Sequence, residues 1–267
     1  MTKVVLSAAA RTPIGKFQGG LAPVKAPELG AVAIRAALER AELDGENVDE
    51  VVMGCVLPAG VGQAPARQAA IYGGVPNTVS AMTINKVCGS GLRAVSLGAQ
   101  FIKAGDANVV IAGGMESMSN APYALPTARN GMRMGHQQAV DLMVWDGLWD
   151  VYNDFHMGMT GELVAEKYGI TREEQDEYAA NSHAKAVAAM EAGRFDKEIV
   201  EVEVKGRKGS TIVSKDEGPR ADSTVETLSK LRPAFKRDGG TVTAGNAPSV
   251  NDGAAAIVVA SETRAKE

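Results

Sequence analysis

Two cysteines, three histidines and a run of basic residues carry the chemistry open to this chain of 267 residues. Cys88 is the most informative of them. It stands in Ile84-Asn85-Lys86-Val87-Cys88-Gly89-Ser90-Gly91-Leu92, where an apolar strand pattern ends and a glycine-rich turn opens a helix. That spacing predicts a sulfur at a helix N-terminus, where free N–H groups and the helix dipole favour a thiolate. The glycines let backbone N–H groups approach a substrate oxygen. An exposed nucleophile beside such donors is what acyl transfer requires. A small buried hydrophobe is the bland alternative, and at this point it stays open. Cys55, in Val51-Val52-Met53-Gly54-Cys55-Val56-Leu57, reads instead as a packed thiol in mid-strand. His156 falls just before a helix pattern, and it is either a partner base for Cys88 or an ordinary half-buried histidine. His136 and His183 are weaker candidates. The two cysteines and the histidines fit no zinc spacing. Lys205, Arg207, Lys208, Arg220, Lys230, Arg232, Lys236 and Arg237 crowd one stretch of the sequence, as a site for a phosphorylated ligand or as a solvated face. Gly113-Gly114 and Gly239-Gly240 match no phosphate-loop or dinucleotide fingerprint.

The elements that must position these residues follow from periodicity. Strands are expected at 3–9, 49–57, 78–87 and 107–112, the last ending at Gly113-Gly114. Helices are expected at 27–41, 64–72 and 89–104, the last carrying Leu92, Val95, Ala99 and Ile102 on one face and Gly105 as its stop. Strand and helix in alternation imply a parallel or mixed sheet covered on both faces. Beyond Gly114 the texture becomes loop-rich, with seven of the 11 Met between 115 and 160. Thr171 and Glu174 form a capping box at the head of a helix that runs to Ala192 and stops at Gly193. Residues 197–213 read as a hairpin, and 254–260 return to the sheet texture. The expected organisation is one α/β domain, 1–116 plus 244–267, with a second domain inserted at 117–243.

Composition narrows the function. Lys and Arg total 28 against 32 Asp and Glu, a net charge of −4, which disfavours broad nucleic-acid binding. Apolar residues make up 45%, which excludes intrinsic disorder. No run is apolar enough to span a bilayer, so no membrane partner is expected. The start, Met1-Thr2-Lys3-Val4-Val5, lacks the regions of a signal peptide, and two cysteines make no disulfide framework, so a cytoplasmic location is expected.

Several long blocks together resemble the biosynthetic thiolases, the acetyl-CoA acetyltransferases. They are AARTPIGKFQGGL near the start, GQAPARQAAIYGGVP at 62–76, TINKVCGSGLRAVSLGAQFIKAG at 83–105, AGGMESMSNAPY at 112–123, HMGMTGE at 156–162, KLRPAF at 230–235 and GTVTAGNAPSVNDGAAA at 240–256. The resemblance implies a layered α/β/α domain with a mixed sheet and an inserted α+β loop domain that holds coenzyme A. It implies Claisen condensation of two acetyl-CoA to acetoacetyl-CoA plus CoA, and the reverse thiolysis, through an acetyl-thioester on Cys88. It places Arg220 by the nucleotide portion, His156, Met157, Leu231 and Phe235 along the pantetheine tunnel, and the Ala244 backbone at a pantetheine amide. His156 is then a wall of the binding site and not the base. CoA and acetyl-CoA are substrates, and no cofactor is expected. The implied assembly is a homodimer or homotetramer, for which the apolar stretch Val51 to Leu57 offers a surface to pair across subunits.

Three departures stand out. Pro248 occupies a place where relatives have a hydrogen-bonding Ser, and Gly161 one where they usually have Ala. The family's C-terminal domain, with its Asn-Glu-Ala-Phe, Gly-His-Pro and Cys-x-Gly-Gly-Gly blocks, has no counterpart here. Those blocks carry the family's catalytic base and second cysteine. A truncated chain, a natural fragment and one part of a split enzyme fit this equally. A non-catalytic acyl-CoA-binding module, and another condensing enzyme of the superfamily, are the alternatives to thiolase activity.

Overall fold

A computed structural model describes residues 2–207 and 209–267. Lys208, one of the basic residues singled out above, lies outside the described residues. Contacts divide the chain into two compact units: Met1–Leu142, Glu198–Glu217 and Asn251–Glu267 form the first, and Met143–Lys197 with Gly218–Val250 the second.

The first unit is built on a mixed sheet. Its strands are β1 (Val4–Arg11), β2 (Glu50–Gly54), β3 (Ser80–Ile84), β4 (Val109–Ser117) and, after the hairpin β5 (Val202–Gly206) and β6 (Gly209–Val213), β7 (Asn251–Ser261). The order across the sheet is β1-β7-β4-β2-β3. β2 runs parallel to β3 and β4, whereas β7 is antiparallel to both β4 and β1. Helices α1 (Ala26–Arg40) and α2 (Pro65–Tyr72) pack on one face, where Leu29, Ile34 and Ala69 join Val51, Met53 and Ile111 in one core cluster. Helix α3 (Ser90–Ala104) covers the other face, with Ala94 and Ile102 against Val52, Val110 and Val259. Burial of so many aliphatic side chains, each worth roughly 1.5–3 kcal/mol, holds the layers together.

Several expectations are corrected here. β4 does not stop at Gly113-Gly114. It continues to Ser117, because β7 pairs with it as far as Asp252 and Ser117. A Cβ at Gly113 would lie 2.0 Å from the Ala255 carbonyl oxygen, so this glycine marks a close strand approach and not a break. α3 turns Ser90, Ala94, Gly98 and Ile102 to the sheet, three of them small, which leaves Leu92 78% exposed. β2 ends at Gly54, so Cys55 follows the strand and does not sit within it. β2 is also an interior strand between β3 and β4, with Val51, Val52 and Met53 buried, so the strand part of Val51 to Leu57 has no edge with which to pair across subunits.

The domain boundaries differ as well. Residues 117–142 and 198–217 belong with the sheet. Val202 and Val204 of β5 enter the first core cluster. The Asp216 carboxylate accepts a two-pronged bond from Arg11 at 2.7 and 2.9 Å and another from the Ile14 N–H at 2.8 Å. Glu198 accepts from Arg11 Nε at 2.6 Å. Burial alone would raise the Asp216 carboxyl, but the Arg11 guanidinium and the Ile14 N–H outweigh it and hold it below the usual carboxylate range. A carboxylate depressed on folding stabilises the fold above its unfolded value of ~3.9, and that contribution is lost as pH falls through the folded value. Asp216→Asn is accordingly expected to cost about 2 kcal/mol at pH 7, with Glu198 still partnering Arg11. Urea midpoints for the variant and parent should differ at pH 7 and converge on acidification. Equal midpoints at neutral pH would reduce the pair to a surface contact.

The second unit carries α4 (Met157–Tyr168), α5 (Arg172–Glu191) and α6 (Val225–Ser229). Thr171 and Glu174 do form a reciprocal capping box at the head of α5. Asp176, 1% exposed, is bonded by Arg172 Nε at 2.8 Å and Asn246 Nδ2 at 2.9 Å. Glu162, also buried, accepts from the Thr241 and Val242 N–H groups. These carboxylates pin residues 241–246 to α4 and α5, so the loop that follows KLRPAF is held from two sides. Among the described residues no helix is long and apolar enough to cross a membrane.

Candidate active site

The parallel strands β2 and β3 end level with each other at Gly54 and Ile84, where β4 passes at Gly114 and runs on to Ser117, and ligands of open α/β sheets lie outside such carboxyl ends. β3 ends at Ile84, and the turn 85–89 leads into α3. This turn is braced from both sides. The Asn85 Oδ1 accepts from the Val87 N–H at 2.9 Å. The buried Ser90 hydroxyl accepts from the Lys86 N–H at 2.7 Å and donates to the Val87 carbonyl at 2.6 Å. Val87 is thereby held at φ 47°, in the left-handed region that a β-branched side chain rarely adopts. Such backbone costs ~1–3 kcal/mol and persists only where its surroundings impose it. The residue it delivers to the surface is Cys88, whose side chain is exposed.

Close packing brings α3 to this point. A Cβ on Gly54 would stand 2.5 Å from the Ser90 Cβ, so only glycine lets the start of α3 sit over the end of β2. Cys88 lines a cavity of about 330 Å³ with Arg11, Thr12, Val87, Gly91 and Glu116 among its walls. Cys88 is thus an exposed thiol on an imposed turn at the start of α3, which suits nucleophilic attack on a thioester. The alternative of a small buried hydrophobe is removed by its exposure. Cys55 is the opposite case: it is 1% exposed, and burial, the nearby Glu116 charge and its hydrogen bond to Glu116 push its thiol up to about 12.

The six residues implied to hold coenzyme A all lie in the second unit. His156 caps α4, its Nδ1 accepting from the Gly158 N–H at 3.0 Å, and its ring stacks on Phe235 with centroids 4.8 Å apart. Burial lowers the His156 pKa, which favours the neutral ring. One ring nitrogen is occupied by the cap, which suits a wall better than a base. A Cβ on Gly158 would come within 2.2 Å of the Phe235 ring, so this glycine allows the ring to settle on the helix start. Met157, Leu231 and Ala244 are exposed. Arg220 is 67% exposed and holds Asp222 through Nε at 3.0 Å and Nη2 at 2.8 Å, while its N–H donates to His183 Nδ1 at 3.2 Å. An Ala at position 161 would place its methyl 3.0 Å from Val242, a contact that a small shift of that side chain relieves.

The basic residues do not belong to one unit. Lys205 and Arg207 sit on the β5–β6 hairpin of the first unit, whereas Arg220, Lys230, Arg232, Lys236 and Arg237 lie in the second. Lys230 pairs with Glu226 and Lys236 with Glu166, so part of that charge is already matched. Glu116 and Asn85 escaped the sequence reading. A charged residue two places after Gly-Gly in an apolar strand, and an amide three before the cysteine, were the available signals. Among the described residues no group of three or more His, Cys, Asp or Glu is placed to hold a metal.

Residues 4–263 match the thiolase N-terminal domain. The chain belongs to the thiolase family. It is 60% identical over 267 residues to an acetyl-CoA acetyltransferase of Pseudomonas aeruginosa, a match that covers all of this chain and 68% of the relative. It is 60% identical over 268 residues to an acetyl-CoA acetyltransferase of Cupriavidus necator, again with 68% of the relative covered. A probable acetyl-CoA acyltransferase of Staphylococcus aureus is 56% identical over 268 residues. The thiolase match spans both units, including the Cys88 turn and the His156–Phe235 pair.

Proposed function

We propose that the chain supplies the nucleophile and the CoA-binding surface of an acetyl-CoA C-acetyltransferase. The observation that carries this is the exposed Cys88 on its braced turn, in a chain of the thiolase family. The Cys88 sulfur attacks the acetyl carbonyl of acetyl-CoA, a tetrahedral oxyanion forms, and CoA leaves as its thiol with an acetyl-thioester left on the protein. A second acetyl-CoA loses a proton from its methyl carbon and attacks that thioester. The new carbon–carbon bond gives acetoacetyl-CoA and returns the cysteine. Thiolysis runs the same steps backwards. No metal or other cofactor enters these steps, and CoA and acetyl-CoA are the substrates. Incubation with acetyl-CoA and intact-mass spectrometry tests the reading: an acetyl group should be found on Cys88, and its recovery on Cys55 or on neither cysteine would sink it.

The second unit is the proposed seat of CoA. The stacked His156–Phe235 pair, Met157 and Leu231 offer apolar and aromatic surface for the pantetheine arm, and Ala244 offers backbone to one of its amides. Arg220 is proposed at the nucleotide end, where a phosphate would compete with Asp222 for its guanidinium. Exposed charge pairs are screened by salt, so CoA affinity is expected to fall as ionic strength rises. Arg220→Ala should weaken CoA binding on the order of threefold to tenfold at low salt, and the gap should close at high salt. Calorimetric titration of both proteins checks this, and equal affinities at low salt would remove Arg220 from the site. A homodimer or homotetramer in the cytoplasm is the proposed setting. The free sheet edge at β3 is available for strand pairing between subunits.

A further inference from the structure

The wall of the Cys88 cavity contains a carboxyl group that the steps above leave without a task. Glu116 lies near the end of β4, two residues beyond Gly114, which pairs with the last residue of β2. Its carboxyl is partly buried, and burial pushes it above the usual carboxylate range against the pull of its hydrogen bonds. One oxygen accepts from the Val56 N–H at 2.8 Å, and the other accepts from the Leu57 N–H at 3.0 Å and from the Cys55 thiol at 3.5 Å. A carboxyl group is a costly way to fill such a place unless its oxygens are used.

The peptide that Glu116 grips leads to the nucleophile. The Val56 carbonyl accepts from Asn85 Nδ2 at 3.5 Å, a weak bond at the limit of the geometry. The same Asn85 side chain accepts from the Val87 N–H at 2.9 Å through its oxygen. Val87, at φ 47°, immediately precedes Cys88. A side-chain amide that donates one way and accepts the other has its orientation fixed by both partners, so a displaced Val56 peptide would loosen the Asn85 half of the hold on Val87, with Ser90 holding the other half.

We propose that Glu116 is a positioning residue for Cys88, acting through the Val56 peptide and the Asn85 side chain to keep Val87 in its left-handed conformation. The proposal rests on the reading of Cys88 as the nucleophile. Glu116 needs both oxygens as acceptors, because Val56 and Leu57 each present an N–H. Glutamine keeps one acceptor and turns an N–H₂ toward the other donor, so it should serve in part; alanine should not serve at all.

The test is the rate of Cys88 alkylation by iodoacetamide in the 267-residue chain, measured by mass spectrometry. The proteins are the parent, Glu116→Ala, Glu116→Gln, Asn85→Ala and the Glu116→Ala/Asn85→Ala double variant. Residues acting through one network give non-additive effects. Glu116→Ala and Asn85→Ala should each change the rate about fivefold or more in the same direction, the double variant should match the larger single effect, and Glu116→Gln should fall between parent and Ala. Asn85 is exposed, so its variant keeps the test alive if Glu116→Ala fails to fold; protection of Cys55 in Asn85→Ala reports an intact core. Single-variant rates within twofold of the parent, or effects that multiply in the double variant, would overturn the proposal. A parent in which Cys88 reacts no faster than Cys55 would instead overturn the nucleophile reading itself, so the two failures are distinct.

Discussion

Brief treatment with iodoacetamide at pH 8 is expected to alkylate Cys88 and leave Cys55 untouched. Alkylation needs a thiolate that the reagent can reach. Cys88 is exposed on the turn before α3, and no side chain has to move to uncover it. Cys55 fails on both counts. It is 1% exposed behind the Glu116 carboxyl, and its thiol is pushed up to about 12. A thiol of that acidity is ionised to only ~10⁻⁴ at pH 8, before burial slows the reagent further. A rate ratio of at least ~10³ is therefore expected between the two cysteines. Peptide mapping after a short pulse measures it directly. Unfolding in guanidinium should abolish the difference, because the barrier at Cys55 is tertiary. Preferential labelling of Cys55 in the folded chain would refute both the site assignment and the account of its burial.

Much of this was legible in local sequence. Cys88 was readable because strand, glycine-rich turn and helix follow one another within ten residues, so a single window contains the whole device. The head of α5 was readable for the same reason, since Thr171 and Glu174 are three apart and their bonds are local. What failed depended on remote partners. Gly113-Gly114 resembles a strand terminator, yet the glycine is there because Ala255 of β7 passes close by. Leu92 has the right period for a core position, but α3 presents the Ser90, Ala94, Gly98 and Ile102 row to the sheet and turns Leu92 away. A hairpin expected at 197–213 falls within the inserted domain by its position in the chain, whereas Val202 and Val204 bury into the first core cluster. The Glu116–Val56–Asn85–Val87 path joins three segments from β4, the end of β2 and the turn after β3. No window of sequence holds all three, and no periodicity marks them.

The largest effect expected in catalysis is the gap between accepting an acetyl group and condensing it. Acylation of Cys88 asks first for a reachable sulfur, and the braced turn before α3 provides it. Condensation asks for more. A proton must leave the methyl carbon of the second acetyl-CoA, and a positioned base is worth ~10²- to 10⁴-fold in such a step. Among the described residues lining the Cys88 cavity there is no histidine and no second cysteine. His156 has Nδ1 committed to its helix cap and its ring stacked on Phe235, so it does not become a base without giving up both contacts. Residues 1–267 assayed alone should therefore form acetyl-Cys88 while making acetoacetyl-CoA at least ~10²-fold more slowly than the Pseudomonas aeruginosa relative, of which they cover 68%. Cys88→Ala should remove both the acetyl label and any residual turnover, because without the sulfur no thioester forms. The measurement is a pair of assays on one preparation, acetyl incorporation by mass spectrometry and thiolysis followed by loss of acetoacetyl-CoA, with Cys88→Ala as the blank. Turnover within tenfold of the relative would mean that this chain already contains a working base, and the division of labour argued from the Cys88 cavity would be wrong.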